Sequence, residues 1–446
     1  MPGQPRVLGR RRSARTLEVP DVGDLLALLV GDHPVAWVRQ GCGMVGWGVH
    51  ATLRHTGSDT LEVAEQWFAD RVAGLDVDDP LARPGTGPVA FVSLAFDPRD
   101  SESVVVIPRV VVGRDAAGSW VTVIGDEVGG RVDPAAFAPA VALPDTEVRD
   151  RRSEYGADGA VSVVGGSADD EGWCSTVAAA LERIRAGDLD KVVLARERIL
   201  RSSTPIDERT LVQRLGAAFP SCWTFTVDGL TGATPELLAG VQRGALFTRV
   251  LAGTEWGVGA LDRINSPKNR AEHDYAAKSV VSALEKVTDR LEVPDGPTVL
   301  TLPNLVHLAT EIRGTLTAGV QPLGLVAAMH PTAAVGGTPA AAASRVISDL
   351  EPVGRGRYAG PVGWFDSDGN CELGIALRSG QLSEDRRSIR VFAGCGIVAG
   401  SDPAVELDEA DRKFGAMLDA LGADQGAVAS AAATADDSRA RSARSP

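Results

Sequence analysis

The chain has 446 residues, of which 44% are hydrophobic and 23% charged, the balance of a globular protein with room for one large domain or two smaller ones. Its formal net charge of −14, with no basic patch interleaved with aromatics, argues against a nucleic-acid partner. No apolar run reaches the roughly 18 residues that a membrane span needs, and five scattered cysteines (Cys42, Cys174, Cys222, Cys371 and Cys395) without metal spacing suit a reducing cytoplasm.

Residues 1–16, with the basic run Arg10 to Arg12 and no apolar segment behind it, read as a disordered tail. From about 17 to 150 the pattern is strand-rich. Runs at Pro34–Arg39, Val89–Phe96, Ser103–Gly113 and Ser119–Ile124 are parted by turn residues, as in antiparallel hairpins, and a helix covers 61–75. The histidines here, His33, His50 and His55, lack ligand spacing. Residues 145–170 are polar and Gly/Asp-rich, a linker or excursion.

A second region runs from 151 to 421. Val177, Leu181 and Ile184 mark a helix that stops at Gly187, and a strand follows over 190–199. Its alternation puts Lys191 on the same face as Val193 and Ala195. Only five of the 45 basic residues are lysine (Lys191, Lys268, Lys278, Lys286 and Lys413). Arginine cannot give up its proton, whereas a buried lysine can act as a base. Lys191 is therefore a candidate base, or else an edge-strand lysine that guards against aggregation. Glu236, after a turn and within an apolar run, would be desolvated and kept protonated, as a general acid requires; it reads equally as the acidic start of a helix.

Leu251 to Thr254 is a small-residue turn able to offer N–H and O–H donors, and Ser266-Pro267 opens a long helix carrying Glu272 and His273 in its early turns. Residues 299–312 read as paired strands with His307 inside, and Arg357 to Arg378 as a hairpin containing Tyr358. From Ile389 an apolar strand leads into a Gly-rich turn, Gly394-Cys395-Gly396, where backbone N–H groups can approach an anion. A helix follows, with Ser401 or Asp402 as N-cap and Pro403 first. Glu406, Glu409 and Lys413 share one face of it. Two carboxylates there can hold a hard cation, although on spacing alone a solvated acidic face is the usual fate of such residues. Residues 422–446 read as a disordered Ala/Ser-rich tail.

These pieces, taken together, resemble the chorismate-utilising enzymes, which include isochorismate, salicylate, anthranilate and aminodeoxychorismate synthases. The matching segments are Lys191 to Arg196, Pro235 to Leu237, Leu251 to Thr254, Glu272-His273, His307 to Thr310, His330 to Thr332, Tyr358 to Gly360 with Gly363-Trp364, Ala376 to Arg378, and Gly394 to Val398 with Ser401 to Pro403 and Glu406. They stand in the family's order and cover roughly 170–421. The resemblance implies an α+β fold of two large packed antiparallel sheets with helices outside. It also implies one Mg²⁺ held by Glu272 and Glu409, with Glu406 close by. The ring carboxylate of chorismate would lie on that metal, helped by Gly253 and Thr254. The enolpyruvyl carboxylate would meet Tyr358, Arg378 and N–H groups near Gly394 and Gly396, with His307 and Lys413 completing the binding set.

Within the family, Lys191 resembles the residue that activates water for attack at C2, and Glu236 the acid that protonates the departing C4 hydroxyl. Anthranilate synthases typically carry Gln in place of Lys191; aminodeoxychorismate synthases carry Lys in place of Ala252. The expectation is an isochorismate synthase, an isomerase whose product feeds a quinone or siderophore pathway. The alternative is a salicylate synthase that goes on to eliminate pyruvate; its members tend to carry Thr where Ala334 stands. A non-catalytic or amine-transferring relative is disfavoured by the Lys191–Glu236 pair. No Gly-x-Cys-x-Gly elbow is present, so no glutamine amidotransferase module is expected, and a monomer is. One departure is Asn269, where members often have an acidic residue three positions before the Glu-His pair.

Overall fold

The computed structural model describes residues 12–31, 33–126, 160–301 and 305–423. The first part of the chain forms β1 (Arg12–Val19), β2 (Val35–Arg39), β3 (Cys42–His55), α1 (Thr60–Ala73), β4 (Leu75–Asp78), β5 (Val89–Ser93), β6 (Ser103–Asp115) and β7 (Gly118–Asp126). There follow β8 (Val161–Gly166), α2 (Asp170–Arg185), β9 (Lys191–Ser202), α3 (Glu208–Ala218), β10 (Trp223–Val227), β11 (Leu230–Thr234), β12 (Leu237–Gln242) and β13 (Ala245–Trp256). Then come α4 (Ala260–Arg263), α5 (Pro267–Leu284), β14 (Thr288–Glu292), β15 (Thr298–Thr301), β16 (Leu305–Leu316), α6 (Pro322–Met329), β17 (Gly337–Thr338) and α7 (Ala340–Leu350). The chain closes with β18 (Pro361–Asp366), β19 (Cys371–Ile375), β20 (Ser379–Leu382), β21 (Ser388–Val398) and α8 (Pro403–Leu421).

This is the expected α+β class. Every pairing is antiparallel except β1 with β4. The expected large sheets are joined into one hydrogen-bonded ribbon. It starts at β8–β9–β21–β20–β11–β10, passes through the N-terminal strands β2–β3–β6–β5, and returns through β18–β19–β12–β13–β16. The N-terminal strands are thus inserted in the middle of the ribbon, β2 against β10 and β5 against β18. Both ends of the ribbon, β9–β21 and β13–β16, share one apolar core with the inward faces of α5 and α8; Leu194, Val250, Val280, Ile397 and Phe414 belong to it.

Three sequence expectations differ from this fold. Strand β1 begins at Arg12, inside the expected tail, because pairing with β4 and β7 ties it down. Strand β8 lies in the stretch read as a linker, where Gly and Ser hide the period; it pairs with β9 as an edge. The long β3 carries His50 and His55 and was not read as a strand at all. Residues 1–11, 127–159 and 424–446, which include most of the expected linker and both tail ends, lie outside the described residues. Among the described residues no helix is long and apolar enough to cross a membrane.

The two site helices begin where the sequence says they do. The Ser266 hydroxyl accepts the Asn269 N–H at 3.3 Å, with Pro267 in the first turn. The Asp402 carboxylate accepts the N–H groups of Ala404 and Val405 at 3.0 and 3.2 Å, and Pro403 follows it. Ser401 instead accepts the Val398 N–H at 3.2 Å and staples the end of β21 to the helix. Asp402→Ala is therefore expected to cost about 1 kcal/mol of stability, read as a lower denaturant midpoint with an unchanged slope.

Candidate active site

Strands β9 and β21 on one side and β13 and β16 on the other enclose a cavity of about 710 Å³ including its mouth. Of the residues expected at the site, Glu236, Gly253, Thr254, Glu272, His307, Tyr358, Arg378, Gly394, Gly396 and Lys413 line it. Lys191 and Glu409 stand just behind, paired with the lining residues Glu272 and Lys413, and Glu406 is paired with Lys268.

Lys191 opens β9 between Thr338 of β17 and Val398 of β21. It is fully buried, its Nζ has no hydrogen-bond partner, and Glu272 Oε1 lies 3.4 Å away. Gly396 makes this approach possible. A Cβ there would lie 2.2 Å from Glu272 Oε1 and 3.1 Å from Lys191 Cε. The Gly394–Gly396 stretch is thus no turn, as its glycine density had implied; it is regular strand, paired with Ala195 and Val193, and its missing side chains clear space. Gly396→Ala is expected to push Glu272 aside and lower turnover at least tenfold with little change in melting temperature; wild-type turnover would remove Gly396 from this role.

Glu236 sits in the short link between β11 and β12. It is buried, and burial raises its carboxyl to about 8 against the opposing pull of Lys191 and Lys413. It begins no helix, and at neutral pH it holds its proton.

The expected turn at Leu251–Thr254 is a bulge within β13. Gly253 takes φ +73°, and register shifts between Ala252 and Thr254. Asn269 braces the bulge from α5: its backbone packs under Gly253, and its Nδ2 donates to Glu255 at 3.0 Å. Its amide therefore acts on the strand and on the Arg263 carbonyl. His273 pins the same helix, with Nδ1 on the Ala252 carbonyl at 3.2 Å and Nε2 on the Thr310 hydroxyl at 2.7 Å. Thr254 Oγ1 meets His307 Nδ1 at 3.0 Å, while His307 Nε2 is buried without a partner. Burial, then Arg378 and Lys413, lower His307 to about 3, so its imidazole is neutral.

Three carboxylates and three lysines alternate below the cavity. Glu272 faces Lys191; Glu406 Oε1 accepts from Lys268 Nζ at 2.6 Å; Glu409 Oε1 accepts from Lys413 Nζ at 2.6 Å. Lys413 also donates to the Gly394 carbonyl at 2.8 Å, and although burial opposes its charge, Glu409 carries its pKa above the ordinary lysine value. Glu406 is fully buried, its Oε2 has no partner, and burial and then Glu409 raise its pKa. Ligand atoms of Glu406 and Glu409, with Cys395, lie within 4.8 Å of one another; Glu272 is outside that group.

At the far side, Arg378 takes φ +49° and Ala359 φ +59°, left-handed conformations that an ordinary side chain adopts only when its surroundings demand it. The Arg378 guanidinium has no salt bridge among the described residues and lines the cavity beside Tyr358, whose ring stacks on Phe392 at 5.0 Å. Sequence reasoning missed two residues here. Lys268 was noted only as a rare lysine. Arg355 is buried in the cavity wall, where it grips Glu351 at 2.9 Å and the carbonyls of Val335 and Val193 at 2.8 and 2.7 Å.

The cavity wall thus combines the Arg378 guanidinium, the Lys413 ammonium, the Glu272 carboxylate and the protonated Glu236, a lining able to take an anionic substrate. A family model described as chorismate binding enzyme matches residues 35–422. The isochorismate synthase MenF of Bacillus subtilis (strain 168) is 32% identical over 414 residues, covering 86% of this chain and 86% of that protein. The isochorismate synthase DhbC of the same strain is 36% identical over 274 residues, 57% of this chain and 68% of that one. The crystal structure of DhbC from Bacillus anthracis superposes with a TM-score of 0.71 at 26% identity, covering 90% of this chain and 99% of that chain. By sequence along nearly its whole described length and by fold, the chain belongs to the chorismate binding enzyme family.

Proposed function

We propose that the protein is an isochorismate synthase that interconverts chorismate and isochorismate. The observation that carries this reading is the pairing of a protonated buried acid, Glu236, with a buried lysine, Lys191, whose Nζ has no hydrogen-bond partner. Lys191 takes a proton from water as the oxygen bonds to C2. The ring double bonds shift, the C4–O bond breaks, and Glu236 gives its proton to the departing hydroxyl. Water enters and water leaves, so the sum is an isomerisation. The similarity to MenF and DhbC supports the same reading.

Arg378 and Tyr358 meet the enolpyruvyl carboxylate, with backbone N–H groups near Gly394 and Gly396; a free guanidinium suits bidentate binding. His307, neutral, offers Nε2 to the substrate, and Gly253 and Thr254 shape the ring-carboxylate end. The oxygen donors there fit a hard divalent cation, since Glu406 Oε2 is buried and unpaired beside Glu409. Glu272, Glu406 and Glu409 would hold Mg²⁺, which when bound neutralises the ring carboxylate. Water as nucleophile needs no ammonia-supplying subunit, and one copy of the chain supplies every residue of the cavity, so a monomer suffices.

Purified protein given chorismate and Mg²⁺ without ammonia is expected to yield a fixed-ratio mixture of chorismate and isochorismate on chromatography. Salicylate with stoichiometric pyruvate would establish the eliminating enzyme instead; Ala334, in the cavity wall, favours the isomerase. EDTA is expected to abolish turnover and Mg²⁺ to restore it. Turnover without metal would remove the three carboxylates from this role.

A further inference from the structure

Lys191 has no tether at its tip. Its Nζ makes no hydrogen bond, and the Glu272 carboxylate is 3.4 Å away. The place of that nitrogen is therefore set by the backbone of β9. One edge of β9 is laddered to β21 along its length. The other edge meets β17 at Lys191 and Val192, and β8 only from Arg198 onward. In the gap, where Val193 lines the cavity, two side chains take the place of a strand. Arg355 Nη2 donates to the Val193 carbonyl at 2.7 Å, and Glu351 Oε1 accepts the Ala195 N–H at 2.8 Å. A carbonyl and an N–H two residues apart on one edge are the groups a neighbouring strand would pair. The two side chains are buried and joined, Nε to Oε2 at 2.9 Å and Nη2 to Oε1 at 2.5 Å. The same guanidinium donates from Nη1 to the Val335 carbonyl at 2.8 Å and lies 4.2 Å over the Phe96 ring. It thus ties β9 to the wall formed by Ala334 and Val335.

We propose that Arg355, held in place by Glu351, is a positioning residue for the attack of water: it fixes β9 at Val193 and so sets where Lys191 Nζ stands against the substrate ring. This rests on the isochorismate synthase reading. The planar fork of an arginine can span a carboxylate and two carbonyls at once, whereas a lysine ammonium on a flexible stem cannot hold all three in that geometry. Because Lys191 has no tether of its own, slack in β9 passes directly to Nζ, and a misplacement of about 1 Å can cost on the order of 10²-fold in rate. Arg378 and Lys413 stand on other elements, in the link before β20 and on α8, so the groups that meet the substrate carboxylates keep their places.

The test is Arg355→Lys in the full chain, assayed with chorismate and Mg²⁺. Its kcat is expected to fall at least about tenfold, with KM within about threefold of wild type. The ratio of kcat in H₂O to kcat in D₂O is expected to rise, because a misplaced base makes proton transfer a larger part of the barrier. A mere loss of folded protein would leave that ratio unchanged. Amide hydrogen exchange, read by mass spectrometry without substrate, is expected to quicken over residues 191–197 and to stay at the wild-type rate over α3. Where Arg355→Lys does not fold, Glu351→Asp, which keeps the charge and withdraws the carboxylate from Ala195, is expected to show the same isotope and exchange changes. A kcat within about twofold of wild type, an unchanged isotope ratio or unaltered exchange over 191–197 would each overturn the proposal. A wild type that makes no isochorismate would instead overturn the reading beneath it, and the exchange rates would still report whether Arg355 holds β9.

Discussion

Lys191→Ala is expected to lower kcat by about 10²–10⁴-fold, the usual worth of a positioned general base, and to change KM for chorismate only a few-fold. The asymmetry follows from placement. Lys191 is fully buried behind Gly396 and Glu272 and does not line the open cavity, whereas Arg378 and Lys413 do. Its removal therefore spares the groups that face the substrate carboxylates. A second variant separates proton transfer from ion pairing. Lys191 Nζ is 3.4 Å from Glu272 Oε1, so a purely structural role would consist of balancing that carboxylate. Lys191→Arg places a fixed cation beside Glu272 and cannot act as a base. It is expected to remain as slow as the alanine variant; recovery of turnover in the arginine variant would make Lys191 a counter-ion for Glu272.

Glu236→Gln is the second large loss, again about 10²–10⁴-fold in kcat. Glutamine keeps the size of the side chain and removes the proton that the C4 hydroxyl needs in order to leave. The pH dependence gives an independent check. Burial raises the Glu236 carboxyl to about 8, so the acid form is populated at neutral pH and is lost as pH rises through that value. Wild-type kcat is expected to fall on the alkaline side of about 8, and Glu236→Gln to lack that limb. The same shift carries a stability signature. The native protein retains a proton that the unfolded chain releases above its ordinary 4.5, so this group lowers stability as pH rises between 4.5 and about 8. Unfolding midpoints of wild type and Glu236→Gln should diverge over that window, with the glutamine variant the less pH-sensitive. Parallel curves would mean that Glu236 ionises normally and is not the acid.

Much of this site was legible in sequence because its signals are local. Apolar alternation in β9 put Lys191 and Val193 on one face; Val193 lines the cavity, and Lys191 stands behind Glu272. Ser266-Pro267 and Asp402-Pro403 marked the starts of the two helices that carry Glu272, Glu406, Glu409 and Lys413. The misreadings share a cause. Glycine density at 253 and at 394–396 points to turns, since isolated segments rich in glycine usually bend. Here neighbours in space decide: β9 holds Gly394 and Gly396 in a continuous ladder, and Asn269 presses against Gly253 so closely that a Cβ would meet its carbonyl oxygen at 2.9 Å. Lys268 had no local signature because its partner, Glu406, is 138 residues away in sequence. Arg355 was invisible for the same reason: it reads as one of two arginines in a Gly-rich link, and only the fold brings Val193 and Val335 to it. The left-handed backbone of Arg378, whose guanidinium has no salt bridge among the described residues, is likewise a product of packing.

The most direct test of the account is the origin of the product hydroxyl. Chorismate would be incubated with the protein and Mg²⁺ in H₂¹⁸O, and the isochorismate formed early in the reaction analysed by mass spectrometry. Water activated by Lys191, with the C4 hydroxyl leaving on a proton from Glu236, predicts one ¹⁸O in isochorismate, located at C2. Isochorismate formed without label would mean that the C4 hydroxyl itself migrates within the molecule, and the roles given to Lys191 and Glu236 would fall together.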